Sequence, residues 1–576
     1  MNINLKKHKD DLLFAPLGGA SEIGMNVNLY HLEGKWLMVD CGLGFANNIP
    51  GVDMLAPDIS FIKAHKKNLV GLVITHIHED HLGAVQYLWE ELEMPIYTSK
   101  LTANFLRSKL EEYPFAKSVK IHEINPTKDL ELKPFTIEFI GLTHSVPEMN
   151  ALLIKTNHGN ILHSGDWKFD PDPVVGNVSE KEKIKSYGDK GEILALVCDS
   201  TNALSPGRSR SEGELHESLK ELIIHAKQKV AVTTFASNLA RIQTISQVAK
   251  ECGRKVVLAG YSVRRLMEVG KKSGYFKDLP EFISDREISL YKPHEILVIS
   301  TGCQGEPLAS TMKIATDNHP FIKFSEGDTI IFSSKIIPGN EKSIFALFNF
   351  FAKKRVNIIT EKDHFVHVSG HPSQDELKEM YELAQPQIAI PVHGEFVHIR
   401  QHCQIAKEAG TKEVIEVSNG CVVRLSKNDS KIVGFVPTGY FGIDGKQLIP
   451  VHGEIIKSRR SIAYAGIVTT VIVVDIKGNL LAKPQILSLG AYDFSCDEIA
   501  FEMLEKEITR LVKSTSKDLG LDKIGGSFFG KKKNKKTATS DKISGAMDKN
   551  IRTTLNKFFK DILGKKPVLQ VVIKVI

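Results

Sequence analysis

The sequence has few cysteines and no paired ones. Its 576 residues include seven, Cys41, Cys198, Cys252, Cys303, Cys403, Cys421 and Cys496, an odd and scattered set with no C-x-x-C pair. That excludes a disulfide framework and a cysteine-built structural zinc site, and it predicts a reducing compartment. Long apolar runs are missing too: the richest, residues 465–476, is about a dozen residues and too short to span a bilayer. The opening MNINLKKHKDDLLF has no apolar signal core. A soluble, cytoplasmic protein without membrane attachment is expected. Nor is there a large charge excess: 75 Lys and Arg face 68 Asp and Glu, a formal +7. Any polyanionic partner must therefore meet a local basic patch and not the protein's overall field. Tryptophan is scarce, and Trp36, Trp89 and Trp167 do not interleave with basic residues as a base-stacking platform would.

What remains is ordinary globular composition, 42% hydrophobic and 25% charged, in a chain long enough for about four folding units at roughly 150 residues each. Short apolar runs rich in Val and Ile recur through the first 425 residues, among them LVGLVIT from Leu69, FTIEFIGL from Phe135, NILH from Asn160, ILALVC from Ile193 and QIAIPV from Gln387. They predict strands in a layered α/β architecture. Between about Pro206 and Gly370 the rhythm becomes strand then helix: KVAVTTFAS, a helix from Asn238, KVVLAG, a second helix, EILVIST, DTIIFSS, and a helix after Asn340. Successive βα units predict a parallel sheet and a domain of its own. From about Leu504 to Asn550 the composition turns to Lys, Ser, Gly and Asp, including KKKNKK at Lys531 to Lys536, and reads as a polar connector before a closing strand, VLQVVIKVI.

The sharpest chemical signal is His76-Ile77-His78-Glu79-Asp80-His81, directly after a strand-like run and directly before a helical pattern of Leu82, Val85, Leu88 and Leu92. Three imidazoles and adjacent carboxylates crowded into one loop suit borderline divalent metals, and such a loop is able to serve two ions. His144, Asp166 and His393 each stand at or just past the end of another apolar run, where an α/β fold presents loops to a common crevice. Singly each is a weak signal; together they complete seven donors.

These residues, with the CDST run at Cys198 to Thr201, the TGCQGEP loop from Thr301, HVSGH at His367 to His371 and PVHGE at Pro391 to Glu395, resemble the ribonuclease J family. The resemblance implies a metallo-β-lactamase αββα sandwich (residues 1–205 and 371–455) with an inserted β-CASP α/β domain (206–370), followed by a linker and a small α+β C-terminal domain (456–576). It also implies a ribonuclease that hydrolyses RNA phosphodiesters with two divalent ions, as a 5′ to 3′ exonuclease with endonuclease activity, in RNA maturation and decay. Zinc suits the five imidazoles, and manganese also suits carboxylate bridging. The resemblance places His76, His78 and His144 on one ion, Asp80, His81 and His393 on the other, and Asp166 between them. Asp80 also assists the nucleophile, Asp199 supports the site by fixing a histidine, and His371 faces the leaving group.

For substrate, the resemblance implies single-stranded RNA with a 5′-monophosphate, held by Phe235, Ala236, Ser237 and Asn238 on the inserted domain and by His367, Val368, Ser369, Gly370 and His371. It also implies a homodimer or tetramer built through the C-terminal module. Local sequence leaves some roles open. Asp199 ends a strand before Ser-Thr and equally fits a helix cap, as do Ser237 and Asn238. Lys531 to Lys536 fits an RNA contact or a solvated linker, and in-line hydrolysis needs no 2′-hydroxyl, so a DNA-directed β-CASP nuclease is the alternative. A small-molecule hydrolase would not need an insert of about 165 residues, nor a scaffold the complete ligand set. PVHGE occurs twice, and its second copy carries His452; His393, which ends the cleaner apolar run, is the expected ligand.

Overall fold

The computed structural model describes residues 3–521 and 533–576 and divides into two compact units, one of Met1–Phe45 with Met54–Leu448, the other of Ala46–Asp53 with Ile449–Ile576. Among the described residues of the first unit, an eight-stranded sheet runs in the order Lys431–Phe435, Cys421–Arg424, Leu13–Gly18, Val27–Leu32, Lys35–Val39, Leu69–Val73, Ile96–Thr98 and Ile121–Glu123. A seven-stranded sheet packs on it, from Leu130–Leu132 through Phe135–Gly141, Asn150–Lys155, Asn160–His163, Ile193–Asp199 and Ile388–Val392 to Glu413–Val414. Phe14, Tyr30, Val39 and Val73 of the first sheet meet Phe135, Phe139, Leu152 and Ile390 of the second in one buried layer. The strands Ile193–Asp199 and Ile388–Val392 are buried along their whole length, which explains why they read as continuous apolar runs and not as alternation. The helices Lys181–Asp189, Gln374–Ala384 and Phe396–Glu408 cover the second sheet through Ile184, Leu377, Tyr381 and Ile405. Val85–Leu92 and Lys100–Leu110 contribute Leu88 and Leu106 to the core beside the first sheet. The result is the expected sandwich.

The inserted region is a parallel sheet in the order Phe282–Ile283, Lys255–Ala259, Ile296–Ser300, Val230–Thr233, Thr329–Phe332 and Asn357–Ile359. Alternate residues of its strands face opposite ways: Val230 and Val232 pack with the helices Leu215–His225 and Leu239–Glu251, and Ala231 packs toward Leu347 and Phe351 of Glu341–Lys353. The predicted strand-helix rhythm is therefore a sheet covered on both faces. Its central strand, Val230–Thr233, delivers residues 234–238 to the carboxyl edge, where crevices form in such sheets.

In the second unit, Ile467–Val474 is flanked by Gln485–Leu489 and Val568–Val575. Here the reading of residues 504–550 as a polar connector is corrected. Glu498–Asp518 and Lys533–Leu563 are helices, and Leu504, Ile508, Val512, Ile543, Met547, Ile551, Leu555 and Phe559 are buried against the sheet. These apolar residues recur every fourth position, so each helix buries one narrow stripe while Lys, Ser and Asp fill the rest and dominate the composition. Of the Lys531 to Lys536 run, Lys531 and Lys532 lie outside the described residues, as do the side chains of the others.

Candidate metal centre and substrate cleft

Four loops converge at the ends of the sandwich strands. The strand Leu69–Val73 ends just before Thr75, and residues 76–81 turn into the short helix Glu79–Leu82, which places His76, His78, Asp80 and His81 around one point. His144 follows Phe135–Gly141, Asp166 follows Asn160–His163, and His393 follows Ile388–Val392. Among the described residues three donor groups result, His76, His78, His144 and Asp166, then Asp80, His81, Asp166 and His393, and an overlapping third of Asp166, Asp199, His371 and His393; within each, the donor atoms lie within 4.8 Å of one another. Asp166 belongs to all three. Its Oδ2 is 3.8 Å from His76 Nε2, 3.1 Å from His81 Nε2 and 3.9 Å from His144 Nε2, and its Oδ1 is 2.8 Å from His393 Nδ1. Asp80 Oδ2 lies 3.6 Å from His81 Nε2 and 3.3 Å from His393 Nε2. Thus all seven side chains expected as ligands are brought together.

The hydrogen bonds around this cluster test whether it fits cations. His144 Nδ1 donates to the Gly370 carbonyl at 2.6 Å, so its Nε2 lone pair faces Asp166 and, at 3.2 Å, His78 Nδ1. Thr75 Oγ1 donates to Asp40 and accepts from His76 Nδ1 at 3.0 Å, which turns the His76 Nε2 lone pair inward, where it is buried without a hydrogen-bond partner. His81 Nδ1 donates to Asp40 Oδ2 at 2.7 Å. Such outward N–H bonds are the arrangement that orients metal-binding imidazoles. Burial, reinforced by neighbouring histidines, holds His76 and His144 well below the usual imidazole range and pushes His78 down to about 4; these rings stay neutral and able to ligate. Burial pushes Asp166 up, but His393 and His81 outweigh it and hold its carboxyl well below the usual range. Burial likewise opposes protonation of His81 and His393, and the carboxylates of Asp166 and Asp80 overcome it. Oxygen and imidazole donors in this ratio suit divalent ions of the zinc or manganese type.

Of the two readings left open for Asp199, the helix cap is not met, because a turn and no helix follows it, while the contact to a histidine is made. One oxygen accepts from Thr201 N at 2.8 Å in a local turn, and the other receives His371 Nδ1 at 2.7 Å. Burial opposes protonation of His371, and Asp199 outweighs it, so the imidazole is raised above its ordinary value. The rest of HVSGH is pinned residue by residue: Ser369 Oγ accepts from Asn202 Nδ2 at 2.6 Å and from His371 N at 3.1 Å. At Gly370 an added Cβ would sit 2.7 Å from the His144 ring, so only glycine allows the approach.

On the inserted domain, Phe235, Ala236 and Ser237 form the turn before the helix Leu239–Glu251, and Asn238 caps it, its side chain accepting from Arg241 N at 2.9 Å. Capping therefore occupies Asn238 Oδ1. The same first turn touches the metal side, where Ala240 N donates to Ser145 O at 3.3 Å. His367 is held well below the usual imidazole range by burial and then by Arg241. Glu79 does not join the donors; it pairs with Lys109 at 2.6 Å. His452 is exposed in the turn before Glu454–Ala465, in the second unit.

Three contributors are absent from the sequence reading. Asp40 is fully buried and follows the strand Lys35–Val39, the same strand-end setting that marks His144 and His393, so the signal is present. Asn26 Nδ2 lies 3.1 Å from His81 Nε2 and 3.2 Å from the Asp80 carbonyl, and Asn202 braces Ser369; neither carries a sequence cue.

Comparison with known proteins identifies the family. Residues 227–351 match the family model described as "Ribonuclease J, beta-CASP domain", residues 24–194 the metallo-beta-lactamase superfamily, and residues 355–417 the "Zn-dependent metallo-hydrolase RNA specificity domain". A Ribonuclease J of Sinorhizobium meliloti is 35% identical, the alignment spanning 98% of this chain and 97% of that one. The chain belongs to the ribonuclease J family. Ribonuclease J of Synechocystis is 32% identical over 97% of this chain and 86% of its own length, and Ribonuclease J2 of Bacillus subtilis 31% over 98% of both. A solved structure of a protein of unknown function from Enterococcus faecalis overlays with a TM-score of 0.51 at 17% identity, covering 72% of this chain and 100% of that one, a likeness of fold alone. Among the described residues no helix is long and apolar enough to cross a membrane.

Proposed function

We propose that this ribonuclease J family member is a two-metal ribonuclease that removes nucleotides from single-stranded RNA in the 5′ to 3′ direction and also cleaves internally. The observation that carries the reading is the convergence of the seven donors, with Asp166 common to the two groups they form. His76, His78 and His144 would hold one ion and Asp80, His81 and His393 the other, with Asp166 bridging. Zinc is favoured by the five imidazoles, with manganese the alternative. Bound ions of this type supply a water acidic enough to be deprotonated near neutral pH and a counter-charge for the phosphodiester oxygens.

The chain's own groups account for the remaining chemistry. Asp80, at the mouth of the donor cluster, orients the attacking water. His371, held by Asp199, presents its other ring nitrogen and protonates or hydrogen-bonds the departing 3′-oxygen, which leaves a 5′-phosphate product. Ser369 accepts through its oxygen from Asn202 and from His371 N, so its O–H remains to donate to a phosphate oxygen. Phe235, Ala236, Ser237 and Asn238, in the turn that opens Leu239–Glu251, form the second half of a grip that includes His367, Val368 and Gly370. Both halves belong to one connected patch, since Arg241 of that helix bonds the backbone on either side of His367.

The exposed Leu487 and Leu489 of the C-terminal sheet support self-association as a dimer or tetramer, and seven unpaired cysteines support a reducing, cytoplasmic setting. Matched RNAs bearing a 5′-monophosphate or a 5′-triphosphate, alongside the same sequence as DNA, test the activity. Mononucleotide release is expected to be fastest on the monophosphate RNA. Equal rates on both RNAs would defeat the terminal-phosphate grip, and equal rates on RNA and DNA would defeat the assignment to RNA.

A further inference from the structure

Arg241 is fully buried, an unusual place for a guanidinium. Its charge is met by Glu212, with Nε donating to Oε1 at 2.6 Å and Nη2 to Oε2 at 2.9 Å, the two-pronged geometry that arginine and carboxylate share. Nη1 donates to Ser333 O at 3.0 Å and to Ser333 Oγ at 2.6 Å. The remaining contacts reach the Val366 and Val368 carbonyls and His367 Nδ1 at 3.4 Å each, and Ser333 Oγ itself donates to Val366 O at 2.6 Å. One side chain thus joins four separate stretches: the first crossover between the domains, the helix Leu239–Glu251, the end of Thr329–Phe332, and the returning crossover that begins HVSGH.

This joint bears directly on the three residues after Val368. Residues 369, 370 and 371 are held in turn by Asn202, by the ligand His144 and by Asp199. Residues 366–371 therefore form a staple, with Arg241 at one end and the reacting-side imidazole at the other. The first crossover is fastened to the same staple: Ser209 Oγ donates to His371 O at 2.6 Å, and the Arg210 guanidinium lies 3.4 Å from the centre of the Phe365 ring. Val366 O receives both Arg241 Nη1 and the Ser333 hydroxyl, which Arg241 itself holds, and Val368 O receives Arg241 Nη2, so a change at Arg241 reaches this stretch directly and through Ser333.

We propose that Arg241 is a positioning residue for phosphodiester cleavage, through which the inserted domain sets the placement of Ser369 and His371 against the metal centre. The proposal rests on the leaving-group role of His371 in the proposed function. A lysine at 241 keeps the charge but replaces a planar fork of five donors by a single point donor, so it tests geometry and not charge.

The experiment compares wild type, Arg241→Lys, His371→Ala and the double variant on 5′-monophosphorylated RNA, with metal content and thermal melting measured on each. Arg241→Lys is expected to keep its metals, to lose about 10- to 100-fold in kcat, and to change KM less than about threefold, a split that general loosening of the fold does not produce. On the His371→Ala background the same substitution should cost less than about threefold more, because both act through one staple. Full additivity in the double variant, or wild-type kcat in a folded Arg241→Lys enzyme, overturns the proposal. A His371→Ala enzyme at wild-type kcat is a different failure: it overturns the reading of His371, and the proposal with it. Should Arg241→Lys not fold, Ser333→Ala removes the hydroxyl bridging Arg241 and Val366; a smaller kcat loss of about three- to tenfold at unchanged KM is expected, and wild-type kcat overturns the proposal.

Discussion

Asp40 Oδ2 receives the Nδ1 hydrogen of His81 at 2.7 Å, and Asp40 Oδ1 receives Thr75 N at 2.8 Å. One buried carboxylate thereby fixes both the ring plane of a metal-facing histidine and the backbone that starts the HIHEDH loop. Asp40→Asn keeps the shape and removes the charge-assisted bond. Loss of such an orienting partner typically costs about 10- to 100-fold in metal affinity or activity. The expected outcome is a folded protein with weakened occupancy of one ion; metal titration of the purified variant checks it, and wild-type affinity would remove Asp40 from the site.

The two PVHGE pentapeptides give a paired control. His393 lies 2.8 Å from Asp166, whereas His452 is exposed in the other unit. His393→Ala should abolish cleavage and weaken binding of one ion, and His452→Ala should leave both unchanged. Elemental analysis beside an RNA cleavage assay distinguishes them, and the reverse pattern would mean that the ligand has been assigned to the wrong copy.

Gly370 offers a steric test. A methyl group there would stand 2.7 Å from His144 Cε1 and 2.8 Å from its Nδ1, closer than real Cβ contacts. Either the ring or the loop must shift, which breaks the Gly370–His144 hydrogen bond. Overpacking of this kind costs about 1–3 kcal/mol, so Gly370→Ala should fold yet lose at least about tenfold in rate. An alanine variant of unimpaired rate would show that the approach is not required.

In the C-terminal unit, Phe559 is fully buried beside Leu555, Phe494 and the sheet. Truncating a buried phenylalanine costs about 3–5 kcal/mol. Phe559→Ala is expected to lower the melting temperature of this unit's transition while an RNA-cleaving centre in the first unit keeps its metals. Calorimetry reads the effect, and an unshifted transition would contradict the helical packing of residues 533–563.

The sandwich and the inserted parallel sheet are legible in the sequence because inner strands such as Ile193–Asp199, Ile388–Val392 and Ile296–Ser300 are buried along their whole length and so appear as apolar runs with helices between. The ligand loops are legible because HIHEDH concentrates imidazoles, and because His144, Asp166 and His393 each end such a run. Asp40 obeys the same rule but carries no histidine beside it to single it out, one acidic residue among 68. Arg241 is beyond reach for another reason. On the helix pattern it looks like a solvated basic residue, and only the fold brings Glu212, 29 positions earlier, to neutralise it in the interior. The helices Glu498–Asp518 and Lys533–Leu563 are hidden because a one-in-four apolar stripe is diluted by Lys and Ser, and composition averages it away.

His393 has a backbone φ of 51°, the left-handed region that residues with a side chain seldom occupy. Its amide donates to Gly19 O, and Gly394 and Glu395 pair with Ala20 and Ser21. The unusual conformation is therefore imposed from outside, by a neighbouring stretch nearly four hundred residues earlier in the chain, and not written in the pentapeptide. Transplanting those five letters would carry the imidazole but leave behind the bend that aims it, which is what the copy ending at Glu454 already demonstrates.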